Sequence, residues 1–225
     1  MKNCCSLFVC CLALCPATQL LADTGDVQVA LKGGTLGIGA EAGIEITDSL
    51  TLRGGANYLK FDFDSTIDDV DYNMEPELAN GSLLLDWHPF GNGFRLTGGV
   101  YLNDNTINVD GTFRKDLIPV EYQQYAAYTD MVHIKGNVDF NPVAPYAGLG
   151  WTSNRGEKGW GIDLDLGIMF QGSPEVSDLY TESSFDLNSS PEVQAFLAEQ
   201  RRAIEDDLDG FQYYPVASIT LKYNF

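Results

Sequence analysis

The seven residues Ile219-Thr-Leu-Lys-Tyr-Asn-Phe225 constrain the fold more than any other stretch of this chain. Ile219, Leu221, Tyr223 and Phe225 alternate with Thr220, Lys222 and Asn224. A period of two is that of a β-strand with one apolar and one polar face. A strand that ends such a row on an aromatic residue suits a barrel wall, with lipid on one side and a polar lumen on the other.

The same alternation recurs along the chain. It is clear over residues 36–46, 50–58, 82–87, 94–103, 160–170 and 211–225, and a further strand is expected over 137–151. Extended to their bounding turns, these segments reach the ~9–11 residues that a tilted strand needs to cross a bilayer. Their connections alternate in length. Residues 47–49, 88–93 and 152–159 are short turns, whereas 64–72, 104–136 and 172–210 are long. Short turns on one side and long loops on the other are the asymmetry of outer-membrane barrels. Antiparallel closure needs an even number of strands, and residues 27–31 supply the eighth through a tight hairpin at Gly33-Gly34. The expected fold is all-β, an eight-stranded antiparallel transmembrane β-barrel with one short loop helix over 189–209. There, Ser190-Pro191 starts a 3–4 repeat of Val193, Phe196, Leu197, Ile204 and Leu208, and Gly210 ends it. That helix either packs on the rim or acts as a lid.

Aromatic placement gives the pattern a direction. Trp87, Trp151 and Trp160 flank the short turns, with Phe90, Phe94, Tyr223 and Phe225 at the same end. Tyr58, Phe61, Phe63, Phe170, Tyr213 and Tyr214 fall toward the other end. Two girdles around aliphatic strand centres are what a bilayer selects. A soluble lipocalin-like barrel would turn the apolar row inward and leave the girdles without a cause.

Residues 1–22 read as a signal peptide. Lys2 is the only charge, Leu7 to Leu14 form an apolar run too short to span, and cleavage is expected after Ala22, leaving the barrel over 23–225. All five cysteines, Cys4, Cys5, Cys10, Cys11 and Cys15, lie in this segment, so the mature chain has no thiol chemistry. Leu14 before Cys15 and Val9 before Cys10 argue against a lipoprotein. The whole chain carries 13 basic against 32 acidic residues, a net charge of −19, which excludes nucleic acid as a partner.

The ending Ile219 to Phe225 resembles the C-terminal signature by which bacterial outer-membrane proteins are recognised for assembly. The mature chain resembles small outer-membrane β-barrels of Gram-negative bacteria, of the size of the OmpA transmembrane domain or OmpW. The segments 83–90, 144–151, 170–174 and 206–215 more closely resemble proteobacterial barrels without a defined function. The resemblance implies an outer-membrane location, partners among outer-membrane lipid, lipopolysaccharide and the barrel-assembly machinery, and a monomer. It carries over no catalytic residue, and no cofactor or metal is expected.

The inward rows hold Glu41, Glu45, Asp86, Asp163 and Asp165 against Arg53, Arg95 and Lys222. Arg95 is expected to meet Asp86 across the 88–93 turn, and Arg53 to lie near Glu45 across the Asp48 turn. These charges either pair to fill a lumen only wide enough for side chains, or line a narrow cation-preferring path. Inward glycines, among them Gly55, Gly99, Gly161 and Gly167, suit either arrangement. Acidic runs at Asp62, Asp64, Asp68, Asp69 and Asp71, and at Glu205 to Asp209, lack the pattern of a calcium loop. His88 and His133 are the only histidines and neither adjoins a nucleophile motif, so no enzyme is expected. The expected role is structural or surface-interacting, and the alternative is a narrow channel for small solutes, ions or apolar molecules.

Overall fold

The computed structural model describes residues 26–67, 70–113, 133–182 and 190–225. The expected signal peptide, with its cysteines, lies outside them, as do Asp68 and Asp69. Twelve strands and one α-helix are described: β1 Val27–Gly34, β2 Gly37–Thr47, β3 Leu50–Lys60, β4 Phe63–Ile67, β5 Val70–Trp87, β6 Phe94–Asn103, β7 Thr106–Phe113, β8 His133–Asp139, β9 Val143–Thr152, β10 Gly159–Phe170, β11 Glu175–Glu182, α1 Pro191–Leu208 and β12 Tyr213–Asn224. All pairings between strands are antiparallel.

The pairings close a ring of eight strands, in the order β1-β2-β3-β5-β6-β9-β10-β12, with β12 returning to β1. The closing pair sets Val29 opposite Tyr223 and Leu31 opposite Leu221, so the alternating row that opened the sequence reading is the seam of the ring. Inside and outside are inverted relative to a soluble barrel. Leu31, Ile38, Leu83, Leu96, Leu149, Leu164 and Leu221 are exposed, while Arg53, Asp86, Arg95, Asp163 and Thr220 are buried to 1%.

Among the described residues the long connections carry strands. β3 continues into β4, β6 into β7, β8 into β9 and β10 into β11, while β5 is long enough to belong to both parts. Residues 77–87 of β5 pair with β3 in the ring, and residues 70–77 pair with β7 beyond it. Five neighbouring ring strands thus extend past the ring as a second sheet in the order β4-β5-β7-β8-β11. β12, β1 and β2 stop at the ring, and α1 packs against both β4 and β11. The helix lays Leu197, Ile204 and Leu208 on Tyr72, Met74, Ile107, Val109, Ile134, Val138, Val176 and Leu179 of the extension. Its Glu205 also accepts the Val176 backbone N–H at 3.1 Å, which satisfies a donor on the β11 edge.

Three details differ from the sequence expectation. The segment 137–151 is two strands, because Pro142 has no N–H for the ladder and the chain bends at Asn141-Pro142. The first hairpin turns at Thr35-Leu36 rather than at Gly33-Gly34. Gly37, at φ +90°, takes the left-handed position, and β1 runs on through Gly34. The helix ends at Leu208 and passes into a 3-10 turn, Asp209–Gln212, before β12.

Candidate functional site: the interior of the strand ring

Four layers fill the interior from the short turns upward. At the short-turn end Arg155, on the β9–β10 turn, donates to the backbone carbonyls of Gly91 and Asp48. It ties all three short turns together across the mouth. His88, on the β5–β6 turn, is buried, and neither ring nitrogen has a hydrogen-bond partner among the described residues. Burial, then the charge of Arg155, pulls the His88 pKa below its ordinary value of 6.5 and keeps the ring neutral at pH 7.

The second layer is ionic. Arg53 bonds Asp86 through Nε at 2.6 Å and Nη2 at 2.9 Å, Glu41 at 2.9 Å and Asp165 at 3.2 Å. Arg95 bonds Asp165 at 2.7 Å and Asp163 at 3.0 Å, and its Nε lies 3.6 Å from Asp86. Lys32 completes Glu41 at 3.2 Å, and Lys222 completes Asp163 at 3.2 Å. Thr97 donates to Asp86 at 2.7 Å, and Thr152 bridges Lys222 to Asp163. Burying eight charges costs several kcal/mol per ion unless each is paired and hydrogen-bonded. The network sets four carboxylates against four cations, each paired and hydrogen-bonded through at least one atom, and among the described residues leaves Arg95 Nε and one Asp165 oxygen without a hydrogen bond.

The structure therefore brings together Glu41, Arg53, Asp86, Arg95, Asp163, Asp165 and Lys222, and adds Lys32. Glu45 stands apart. Arg53 lies opposite Gly43, so its partner on β2 is Glu41, while the register shift between Glu45 and Thr47 leaves Glu45 half-buried near the rim. The expectation of five acids against three bases gives way to a neutral set. Lys32 was legible: it continues the inward row of Gln28 and Ala30 once β1 is extended through Gly34.

The third layer is aromatic and apolar. Tyr101 and Tyr146 meet edge to face with ring centroids 5.4 Å apart, among Leu36, Leu84, Met169 and Val216. The inward glycines make room for these side chains. A Cβ on Gly148 or Gly167 would meet the Tyr146 hydroxyl. One on Gly150 would come within 2.9 Å of Arg95 Nε, and one on Gly161 within 3.1 Å of Lys222 Cε. The fourth layer is a chain of carboxamides where ring and extension meet. Asn80 donates to Asn105 at 2.9 Å, Asn105 to Gln171 at 3.0 Å, and Gln171 to the Phe211 carbonyl at 2.9 Å. Above it lies the apolar core under α1.

Trp87, Trp151, Trp160 and Phe225 are half or more exposed on the outward face beside the short turns. Tyr223 lies among them, 5.3 Å from Trp160 and 5.0 Å from Phe225 between ring centroids. At the other end Phe170 and Tyr213 pack edge to face at 5.9 Å. Among the described residues no cluster of histidine and carboxylate side chains could hold a metal ion. His133 pairs with Asp110 at 2.9 Å on the extension, far in sequence and strand position from His88.

No family model and no curated protein matches the chain. Two solved structures match it over 89% of its length and 98% of theirs. They are CarO2 of Acinetobacter baumannii, with a TM-score of 0.59 and 20% identity, and CarO of the same organism, with a TM-score of 0.55 and 19% identity. At that identity the likeness is one of fold, and the chain shares its all-β, antiparallel architecture with these two proteins.

Proposed function

We propose that the chain is an integral outer-membrane protein. In this reading the ring is an eight-stranded transmembrane barrel with a charge-filled, closed lumen, and its role is structural or surface-interacting. The short turns face the periplasm, and the sheet–helix extension stands outside the cell. The observation that carries the reading is the inversion of the ring, with an apolar outward row against a neutral, mutually paired ionic interior. A contiguous outward apolar surface of this extent has no use in water. The outward row of β10 runs from Trp160 to Phe170 without a polar residue. At ~3.3 Å per residue and a barrel tilt it covers roughly the 25 Å of an apolar belt. The outward row then turns polar, as Ala79 gives way to Glu77, Glu75 and Asn73 along β5. The fold shared with CarO and CarO2 is consistent with this reading.

Planar-bilayer conductance of the refolded mature protein tests the closed lumen. Silence is expected from the full chain and from a chain lacking residues 189–209, because the ionic and tyrosine layers remain in both. Steady steps would overturn it. One observation favours the second reading, a narrow channel. Among the described residues the side-chain oxygens of Ser82, Ser218 and Thr220 and one Asp165 oxygen are buried on the inward face without a hydrogen-bond partner, which suits internal water. In that case replacing Asp163 and Asp165 with Asn would change the ion selectivity of those steps. We assign no enzymatic activity, cofactor or metal to this interior. Lipid, lipopolysaccharide and the barrel-assembly machinery are the partners this reading requires.

A further inference from the structure

The outward face of the extension carries a feature that the closed ring does not use. Two adjoining clefts, of about 380 and 650 Å³, share Asn73, Glu75 and Asp110. The strand register builds them from two transverse rows. One row is Asn73, Asp110, Lys135 and Tyr180, each directly opposite the next across β5, β7, β8 and β11. The other is Glu75, Asn108, Asn137 and Ser177 on the same strands. The inward neighbours of these residues are the apolar core under α1, so the face is rigidly backed.

The aromatic at the end of the first row is placed there by an irregularity. The β8–β11 register shifts between Ser177 and Tyr180. Ser177 faces outward before the shift and Tyr180 after it, while Leu179 turns in to the core. Without the extra residue the strand alternation would send Tyr180 inward. Bulges of this kind re-aim a side chain. Here the bulge sets a ring that is 44% exposed beside Lys135 and the cleft.

We propose that this face is a binding site for a neutral or amino-sugar oligosaccharide. The proposal rests on the reading that the extension stands outside the membrane. Beneath the centre of the clefts the main-chain groups of β5, β7 and β8 are paired on both sides, so a ligand lying there meets side chains. Carboxylates accept, carboxamides both donate and accept, and an exposed tyrosine offers an apolar ring face with a polar tip. That set suits adjacent hydroxyls together with the C–H face of a pyranose. Four strands at ~4.8 Å spacing give a row roughly 14 Å long, the scale of a short oligosaccharide. Asp64, Asp71, Glu75, Asp110 and Glu182 outnumber Lys60 and Lys135 around the rows, so an anionic sugar is repelled.

The test uses the full mature chain, refolded without lipopolysaccharide and checked for the heat-modifiable gel mobility of a folded barrel. Chitotriose, its deacetylated trimer and trigalacturonate are titrated by calorimetry, with a dephosphorylated and carboxyl-reduced lipopolysaccharide core oligosaccharide as a fourth probe. The neutral and amino trimers are expected to bind and trigalacturonate is not. Tyr180→Ala and Asn108→Ala are each expected to weaken binding about tenfold, with gel mobility unchanged. Stronger binding of the core oligosaccharide would place the natural ligand in the protein's own membrane, and stronger binding of the trimers would place it outside. A folded barrel that binds none of the sugars at millimolar concentration would overturn the proposal, as would binding that survives both substitutions. Failure of the membrane reading would show instead as loss of heat-modifiable mobility.

Discussion

At the scale of single residues, Arg53 is the centre of the interior. Removing it leaves Glu41, Asp86 and Asp165 short of a partner in a buried site. Arg53→Met is expected to destabilise the protein by about 3–5 kcal/mol, the usual cost of leaving a buried charge uncompensated. Urea unfolding in lipid vesicles, followed by tryptophan fluorescence, measures this, and a loss below about 1 kcal/mol would mean that water already screens the site. His88 gives the interior a pH dependence of defined sign. Its folded pKa is lowered, first by burial and then by Arg155. The unfolded chain therefore takes up the proton first as pH falls below about 6.5. The stability His88 contributes is full above that pH and declines below it. A His88→Gln chain should show a flatter stability profile between pH 7 and 5, and an identical profile would remove His88 from the account. Gly167→Ala presses a methyl group on the Tyr146 hydroxyl and should cost about 1–3 kcal/mol in the same unfolding assay. A neutral effect would mean that the tyrosine layer is loosely packed.

At the scale of elements, α1 replaces the missing wall of the extension. Ile204 is fully buried and Leu208 is 2% exposed, both against the sheet. Ile204→Asp buries a charge in that core and should open the extension while the ring persists. Hydrogen exchange would then rise in β7, β8 and β11 and stay low in β10 and β12, whereas uniform exchange would show one cooperative unit. The helix was legible from the spacing of Val193, Phe196, Leu197, Ile204 and Leu208. The sheet beneath it was not. Its strands Thr106–Phe113 and Glu175–Glu182 alternate buried apolar residues with Asn, Asp, Glu and Ser. In sequence those polar residues look like loop composition, because the outward face is polar once it leaves the apolar belt. The ring strands were legible for the opposite reason, since each carries an unbroken apolar row. The ionic residues were legible by parity alone. Which acid meets which cation depended on a register that turn positions set, and Glu41 rather than Glu45 was the result.

At the scale of the whole molecule, one inward row changes character three times along its length. In β5 it runs Asp86, Leu84, Asn80, Met74, Tyr72 from the short turns outward, through ionic, apolar, amide and apolar layers. The outward row changes once, from apolar to polar, at the level where the ring ends. A single continuous strand thus serves a wall with an apolar outward face and a sheet with a polar one, without a change of parity. The central claim is that the outward row of the ring faces lipid. Residues 23–225 contain no cysteine, which allows single cysteines at Ile162, Asp163, Leu164, Asp165, Leu166 and Asn108 of that segment, each labelled with a fluorophore in vesicles. The account predicts quenching by lipid-borne nitroxides at 162, 164 and 166, and little at 163, 165 and 108. Efficient quenching at 162, 164 and 166 by an aqueous quencher, with none from lipid, would contradict it.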